Sequence, residues 1–551
     1  MYIHDKIDHA ILRERAAEFR DQVARRLRGE ITEDEFKRVR LQNGVHLQRH
    51  SYMLRVDIPY GTLSSAQMRR LAAIALRYDR GYGHFTTRQN IQFNWVKLAE
   101  LPDALAELSD VGCHAIQTSG NNLRSITCDP WAGVAPGEVE DPRVFAEILG
   151  QHNTSHPEFS SLPRKFKIAI TASKQDRVAL RIHDLGLRLI RKEDGETGFE
   201  VVVGGGLGRS PFIAQLLSPY VAACDIVSYV EAVLRVYNQH GRRDNIHKAR
   251  IKILVHDLGI TRFAAQVEEE WQKIRDGALR LTAQHIDSVR ARFIYPRYVD
   301  LEDRGEDLPQ AGSDSRFMAW LKNSVFPHRA PGYAIVTISL KPAGSPPGDA
   351  SASQMAALAD LAERYSSDEI RVTPEQNLLL PHVAKRDLHE LWRALDALEL
   401  ATPNINLITD IISCPGLDYC AKANARSIPL AQELTQRFAA PERADSIGPM
   451  HIHISGCSNA CAQHHIGNIG ILGIDRQGEE FYQITIGGRA DETTAIGAQL
   501  GPAVRFAEVT GVIEGIVEAY LALRQRPDEA FADVVARLGV EAFVARIQPT
   551  G

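Results

Sequence analysis

The chain of 551 residues predicts an α+β fold laid out as a tandem pseudo-two-fold repeat. Two self-matches and one asymmetry carry this. The segment SSAQMRRLAAIALRYDRGYGHFTTRQNIQFNWV (64–96) aligns without a gap on SASQMAALADLAERYSSDEIRVTPEQNLLLPHV (351–383). The offset is a constant 287, and 12 of the 33 pairs are identical, among them Gln67/Gln354, Met68/Met355, Tyr78/Tyr365, Gln89/Gln376 and Asn90/Asn377. A second match sets DLGLRLIRKEDGETGFEVVVGGG beside NIGILGIDRQGEEFYQITIGGR at an offset of 283, through Leu187/Gly470, Gly195/Gly478 and Gly204/Gly487. The asymmetry is that paired cysteines occur in the second copy only.

The elements follow in chain order. Residues 1–50, rich in Arg and Glu, read as a helical arm. In the first copy Met68, Leu71, Ala72 and Ala75 recur at helical spacing. VVVGGG and its counterpart ITIGG read as strands that end in glycine turns. DLEDRGEDLPQAGSDSR (300–316) is acidic and turn-rich, as a surface linker is, and KPAGSPPGDASAS (341–353) reads as a loop inside the second copy. The final stretch, EGIVEAYLALRQRPDEAFADVVARLGVEAFVARI, reads as helices that cap the chain without carrying chemistry. A duplication of this kind packs as a pseudo-dimer, with a site between halves that specialise differently.

With 44% hydrophobic and 24% charged residues, the composition is that of a multidomain globular protein. A net charge of -5 gives no global basic field for nucleic acid. The first residues carry no apolar leader, and nowhere do apolar residues run long enough to span a bilayer. The expectation is a cytoplasmic protein that engages neither membrane nor nucleic acid.

Seven cysteines, an odd number, argue against a secreted disulfide framework. Cys113, Cys128 and Cys224 are scattered and read as small buried hydrophobes. The other four form C-x5-C (Cys414, Cys420) and C-x3-C (Cys457, Cys461), with 36 residues between the pairs. Four thiolates complete the shell of a [4Fe-4S] cluster. Structural zinc also takes four thiolates, but C-x5-C is wider than its usual knuckle. Small residues and glycines around both pairs let backbone N–H groups approach cluster sulfurs. His451, His453, His464 and His465 lie nearby and stay unassigned, with a structural or surface role the default.

The first copy holds cations in apolar surroundings. Arg55 in YMLRVDIPYG, Arg88 in TTRQNIQF, Arg124 in GNNLRSITC, and Arg164, Lys165 and Lys167 in LPRKFKIAI are all read as strand residues. Any one of them alone would pass for a solvated surface charge. Lys165 and Lys167, two apart, share a strand face and form a two-ammonium clamp suited to a dianion.

With these segments, VVVGGGL and RRDNIHKARIKILVHDLG, the chain resembles the siroheme-containing nitrite and sulfite reductases, from about Ser51 to beyond Gly488. The resemblance implies ferredoxin-like half domains at 51–117 and 317–400. It implies a siroheme- and anion-binding domain at 118–299 and a [4Fe-4S] and siroheme-binding domain at 401–551. Arg55, Arg124, Lys165 and Lys167 are then expected around the anion on the distal face of siroheme. Arg88, Gln92, Arg164 and Asn459 bind the macrocycle, whose many carboxylates call for guanidinium partners. The resemblance further implies that Cys461 bridges cluster and siroheme iron. Two departures stand out. His84 occupies the place of a further macrocycle-binding arginine, and Asn122 stands where some relatives carry a cysteine crosslinked to tyrosine, so no crosslink is expected.

The implied reaction is the six-electron reduction of sulfite to sulfide in sulfur assimilation. Nitrite reduction is the alternative within the family, whose nitrite-reducing members typically carry Asn where this chain has Lys167. From another class, a siroheme-free iron–sulfur electron carrier leaves the strand-borne cations without a purpose. GGGLGRS is a poor nicotinamide fingerprint, because Arg209 replaces its third glycine. With no flavin or nicotinamide module in evidence, the electrons are expected from a separate protein, either ferredoxin or a flavoprotein reductase subunit. The helical arm is assigned to packing or to docking of that donor.

Overall fold

The computed structural model describes residues 2–3, 6–154, 156–301 and 314–547. Its four main sheets come in two related pairs. In the first pair, all antiparallel, Val45–Leu47, Tyr52–Val56, Ile91–Val96 and Tyr82–Phe85 form one sheet, and Val325–Pro327, Tyr333–Ile338, Leu378–Ala384 and Glu369–Val372 form its counterpart. Each sheet borrows its last strand from the other copy. Asp349–Ser351 pairs with Tyr82–His84, and Thr62–Ser64 pairs with Glu369–Arg371.

The identical residues of the self-match explain this exchange. Ser64 and Gln67 form a capping box that opens the helix Ser65–Tyr78, and Ser351 and Gln354 do the same for Ala352–Tyr365. Met68, Leu71, Ala72 and Ala75, with Met355, Leu358, Ala359 and Ala362, lie buried in one shared core where these helices pack together. Gln89 and Gln376 both take left-handed backbone, φ 55° and 64°. Gln89 donates from Nε2 to the Val372 carbonyl at 3.0 Å, and Gln376 donates to the Phe85 carbonyl at 3.1 Å. The two halves thus staple each other symmetrically.

The second pair of sheets is mixed. Thr127–Cys128, Ile168–Thr171 and Leu185–Arg191 run parallel, and Thr197–Val203 and Gln215–Ala222 return antiparallel. Ile412–Ser413, Ile452–Ser455 and Ile469–Arg476 repeat this plan, followed by Glu479–Ile486 and Ala498–Gln499. Gly186 and Gly470 hold matching places, opposite Val202 and Thr485. The offset before the hairpin is therefore 284, and the 283 alignment through Leu187/Gly470 slips by one residue, because the second hairpin turn is shorter. Helices Ile226–His240 and Ile251–Leu258 cover the first of these sheets, and Phe506–Leu523 and Phe531–Leu538 cover the second.

Two further expectations change, and a third falls largely outside the described residues. Residues 45–47, within the stretch read as a helical arm, form a strand of the first sheet, so only the helices Lys6–Leu27 and Glu33–Gln42 precede it. The loop read over 341–353 closes with the exchanged strand Asp349–Ser351 and the first turn of a helix. The linker at 300–316 lies largely outside the described residues.

Candidate active site

The four cysteines sit where the second mixed sheet ends. Cys414 follows the strand Ile412–Ser413, and Cys420 closes the 3-10 turn Gly416–Asp418, its N–H bonded to the Gly416 carbonyl at 2.9 Å. Cys457 and Cys461 follow the strand Ile452–Ser455. The Gly456 N–H donates to the Cys414 sulfur at 3.1 Å. A Cβ on Gly456 would stand 2.7 Å from the Ala425 carbonyl oxygen, so only glycine lets the backbone come this close. Asn459 hydrogen-bonds the Cys457 thiol through backbone and side chain, partly offsetting the burial that raises it. Burial, followed by the neighbouring Cys461, pushes the Cys414 thiol up to about 12. Cys461 is the exposed member of the set.

The Gly456 N–H at the Cys414 sulfur is the kind of donor that stabilises a polynuclear cluster.

Cations from the first copy converge beside Cys461. Arg55 holds its place on the strand Tyr52–Val56 opposite Gln92, whose Oε1 accepts from it at 2.5 and 3.1 Å. The other strand assignments are corrected. Arg88 lies in the turn between Tyr82–Phe85 and Ile91–Val96, and Arg124 lies between the bridge residue Leu123 and the strand Thr127–Cys128. Arg164 lies in a bend, and Lys165 and Lys167 flank Phe166, which bridges to Leu123 and buries its ring, in extended chain ahead of the strand Ile168–Thr171. The cations sit at strand ends because there the backbone leaves the sheet and side chains reach a common cleft. Thr87, beside Arg88, donates its hydroxyl to the Cys461 carbonyl at 2.9 Å. The loop Gly204–Gly208 closes another side, with Gly208 at φ +115° facing the Ser458 carbonyl.

No ion pair serves Arg55, Arg88, Arg124, Arg164, Lys165 or Lys167 among the described residues. Instead burial, joined for most of them by neighbouring cations, lowers them. Burial, then Arg55, Arg88 and Arg164, holds the Arg124 guanidinium well below its usual range. Burial draws Arg88 down to about 10. Burial and Arg250 bring Lys165 to about 7, and burial and Lys165 take Lys167 well below the ordinary lysine value. Arg88 Nη1 and Arg124 Nε are buried without a hydrogen-bond partner. Crowded cations with unfilled donors are a receptor for a polyanion. This donor set fits the carboxylates of siroheme together with a small oxyanion.

Sequence reasoning missed the supports of this cleft. Asp184, buried, grips Arg250 through both oxygens at 2.7 Å and accepts the Lys167 N–H at 2.9 Å. Lys252 donates to the carbonyls of Gly206, Leu207 and Ser210 at 3.2, 2.9 and 2.6 Å, fixing the glycine loop. No spacing marks these residues, because their partners are remote in sequence. His84 is buried, with Nδ1 2.7 Å from Asp349 and Nε2 3.2 Å from Gln376. That places it within the inter-repeat seam. The histidines left unassigned have structural contacts: His453 Nδ1 lies 3.2 Å from the Gln463 carbonyl, and His464 stacks on His465 at 3.9 Å.

Fold and site together define a redox enzyme of duplicated ferredoxin-like design, in which four cysteines lie beside a crowd of buried cations. Comparison with known proteins agrees. The family model described as the nitrite and sulphite reductase 4Fe-4S domain matches residues 119–275 and 405–550. The nitrite/sulfite reductase ferredoxin-like half domain matches 46–111 and 332–398. The chain belongs to the nitrite and sulphite reductase family. It is 28% identical over 503 residues to "Sulfite reductase [ferredoxin] 1" of Mycolicibacterium paratuberculosis, covering 89% of this chain and 83% of that one. It is 30% identical over 464 residues to a chloroplastic ferredoxin–nitrite reductase of Zea mays, covering 81% and 74%. The solved structure of the Mycobacterium tuberculosis NirA protein superposes with a TM-score of 0.77 at 26% identity, covering 96% of this chain and 97% of that one. No helix among the described residues is long and apolar enough to cross a membrane.

Proposed function

We propose that this protein catalyses the six-electron reduction of sulfite to sulfide. The observation that carries the reading is the pair Lys165 and Lys167 on either side of the buried Phe166, with no carboxylate paired to either ammonium among the described residues. Two ammonium groups facing one cleft suit a dianion better than a monoanion such as nitrite.

Cys414, Cys420, Cys457 and Cys461 would hold a [4Fe-4S] cluster. Arg88, Gln92, Arg164 and Asn459 would hold siroheme, with Cys461 contributing to both sites. When bound, these groups supply electrons one at a time to the sulfur of the anion. The protein's own contribution is electrostatic and protic. Arg55, Arg124, Lys165 and Lys167 attract the anion and stabilise negative charge gathering on its oxygens as each S–O bond breaks. Each departing oxygen needs protons to leave as water. Lys165, brought to about 7 by burial and Arg250, is poised to give one near neutrality. Asp184 cannot compete for that role, because both of its oxygens are committed to Arg250 and to the Lys167 backbone.

The electron donor is read as an acidic ferredoxin. A groove of about 770 Å³ is lined by Arg49, Arg77, Arg80, Lys97 and Trp95, against the two acidic residues Asp79 and Glu100. The Trp95 ring packs edge-on against Tyr419 at 5.3 Å, and Tyr419 directly precedes Cys420. A basic surface next to a cluster ligand supports docking of an acidic partner there. Turnover of sulfite and nitrite measured side by side tests the substrate. Reduced ferredoxin against NADPH plus a flavoprotein reductase tests the donor. Nitrite kcat/KM above that for sulfite overturns the substrate reading, and a purified protein without tetrapyrrole absorbance overturns the siroheme reading.

A further inference from the structure

Away from the cleft, a second donor cluster lies between the helices Arg143–Asn153 and Ile226–His240. His152, His156 and Glu231 place one ligand atom each within 4.8 Å of one another. His152 lies on the first helix and His156 just beyond its end, where the His156 N–H bonds the Asn153 carbonyl at 3.3 Å and the two imidazole centroids stand 5.4 Å apart. Glu231 enters from the second helix with its side chain 4% exposed.

The two oxygens of Glu231 are differently engaged. Oε1 is held by Arg235 at 2.6 Å, whereas Oε2 faces the imidazoles and lies 2.7 Å from His152 Nε2. One oxygen is thus oriented by a fixed cation and the other is left toward the cluster, the arrangement by which an outer partner positions a ligating carboxylate. Arg235 also reaches Glu158 and Glu270, each at 3.4 Å, so its charge stays compensated if Glu231 shares its density with a cation. The His156 ring is fixed by stacking on Phe159 at 4.2 Å, and its Nδ1 is buried without a hydrogen-bond partner.

We propose that His152, His156 and Glu231 form a binding site for a divalent transition ion of the zinc class, closed by water at the fourth position. Two imidazoles and one carboxylate are a borderline-soft set that suits zinc over calcium or magnesium. The ion ties the two helices at the root of the segment that carries the anion clamp. Eight residues beyond His156 stands Arg164, and the intervening turn is already pinned to the second helix and the loop after it. Asn238 bonds the Glu158 carbonyl and Arg243 bonds the Ser161 carbonyl, each at 3.1 Å. Zinc therefore stiffens the approach to Lys165 and Lys167 and contacts neither.

The test uses cofactor-loaded enzyme, stripped of loose metal with a chelator and titrated with Zn²⁺ by equilibrium dialysis and by thermal unfolding. Wild type is expected to bind one tight equivalent and to rise in Tm. His156→Ala and Glu231→Gln should each weaken that binding by ~10-fold or more and lose the Tm rise, whereas the exposed-residue control His285→Ala should match wild type. Glu231→Gln is nearly isosteric, and a variant that keeps the wild-type visible spectrum is folded. Anomalous scattering at the zinc edge should place the ion between these helices. Equal affinity in wild type and variants, or an anomalous peak elsewhere, overturns the proposal.

Discussion

Asp184 accepts the backbone N–H of Lys167 at 2.9 Å while its carboxylate grips the Arg250 guanidinium. One buried anion thereby sets both the chain that presents the lysine clamp and the cation behind it. Asp184→Asn keeps the shape but leaves the part-buried Arg250 guanidinium without its counter-charge, a change that costs less than the ~3–5 kcal/mol of breaking a fully buried pair. The expected result is a lower Tm and a raised KM for sulfite. Unchanged values of both remove Asp184 from its positioning role.

Lys167→Asn separates the two substrates. Removing one ammonium should lower sulfite kcat/KM by ~10²-fold and nitrite kcat/KM by much less, because a monoanion depends less on the second cation. Parallel steady-state assays on one preparation read both numbers. Equal losses count against Lys167 as the residue that sets selectivity.

Gln89→Ala tests the staple between the repeats. Gln89 Nε2 serves the carbonyls of Cys128 and Val372, at 2.8 and 3.0 Å, and its Oε1 accepts the Cys128 N–H at 2.9 Å. Leaving these buried groups unpaired should cost about 1–3 kcal/mol, seen as a lower midpoint in denaturant. Gln376→Ala should cost a similar amount, since its bonds to Phe85 and Ser413 are the reciprocal set.

Glu138 gives a pH dependence of stability. Burial, then Asp141 and Asp129, raises its carboxyl to about 9 in the folded chain, against roughly 4.3 unfolded. Between those values the native state holds a proton that the unfolded state has lost, so this group makes stability fall as pH rises through that window. Glu138→Gln should remove the fall. Its Tm should exceed that of wild type at pH 8 by more than at pH 5, and parallel Tm–pH curves would contradict the assignment.

Charge reversal at Arg77 and Arg80 probes donor docking. Both line the groove beside Trp95, with Arg80 stacked on that ring at 3.5 Å. The double Glu variant should raise the KM for reduced ferredoxin and flatten its salt dependence. Turnover with a small chemical reductant should remain. Loss of both activities would point to misfolding, and loss of neither would move the docking surface elsewhere. Trimming residues 1–40 serves the other half of the question, since the helix Lys6–Leu27 packs on Leu101–Ser109 and its Phe19 stacks on Phe36 at 5.9 Å. Lower stability with an unchanged donor KM is expected.

The duplicated plan was legible because the same physical devices recur at fixed spacing. Ser64/Ser351 and Gln67/Gln354 are capping boxes, Met68/Met355 are core, and Gln89/Gln376 are left-handed turn residues that bridge the halves. The two cysteine pairs stood out for a similar reason, since each lies within one short run of chain after a strand of the second mixed sheet. Arg88, Arg124 and the Lys165–Lys167 clamp were recognisable as residues but not as geometry, because an isolated cation in an apolar stretch reads as a strand position when it stands at a strand end.

What the sequence determined by itself is local: the repeat, the helices and strands within it, the cysteine pairs, and the cations in unusual company. What only the tertiary structure decided is how these meet. Asp349–Ser351 leaves its own repeat to pair with Tyr82–His84, Thr87 reaches the Cys461 carbonyl, and Asp184 joins Arg250 to the Lys167 backbone. Such contacts join residues tens to hundreds of positions apart, and their energy arises from excluding water around paired charges and hydrogen bonds that no local window contains.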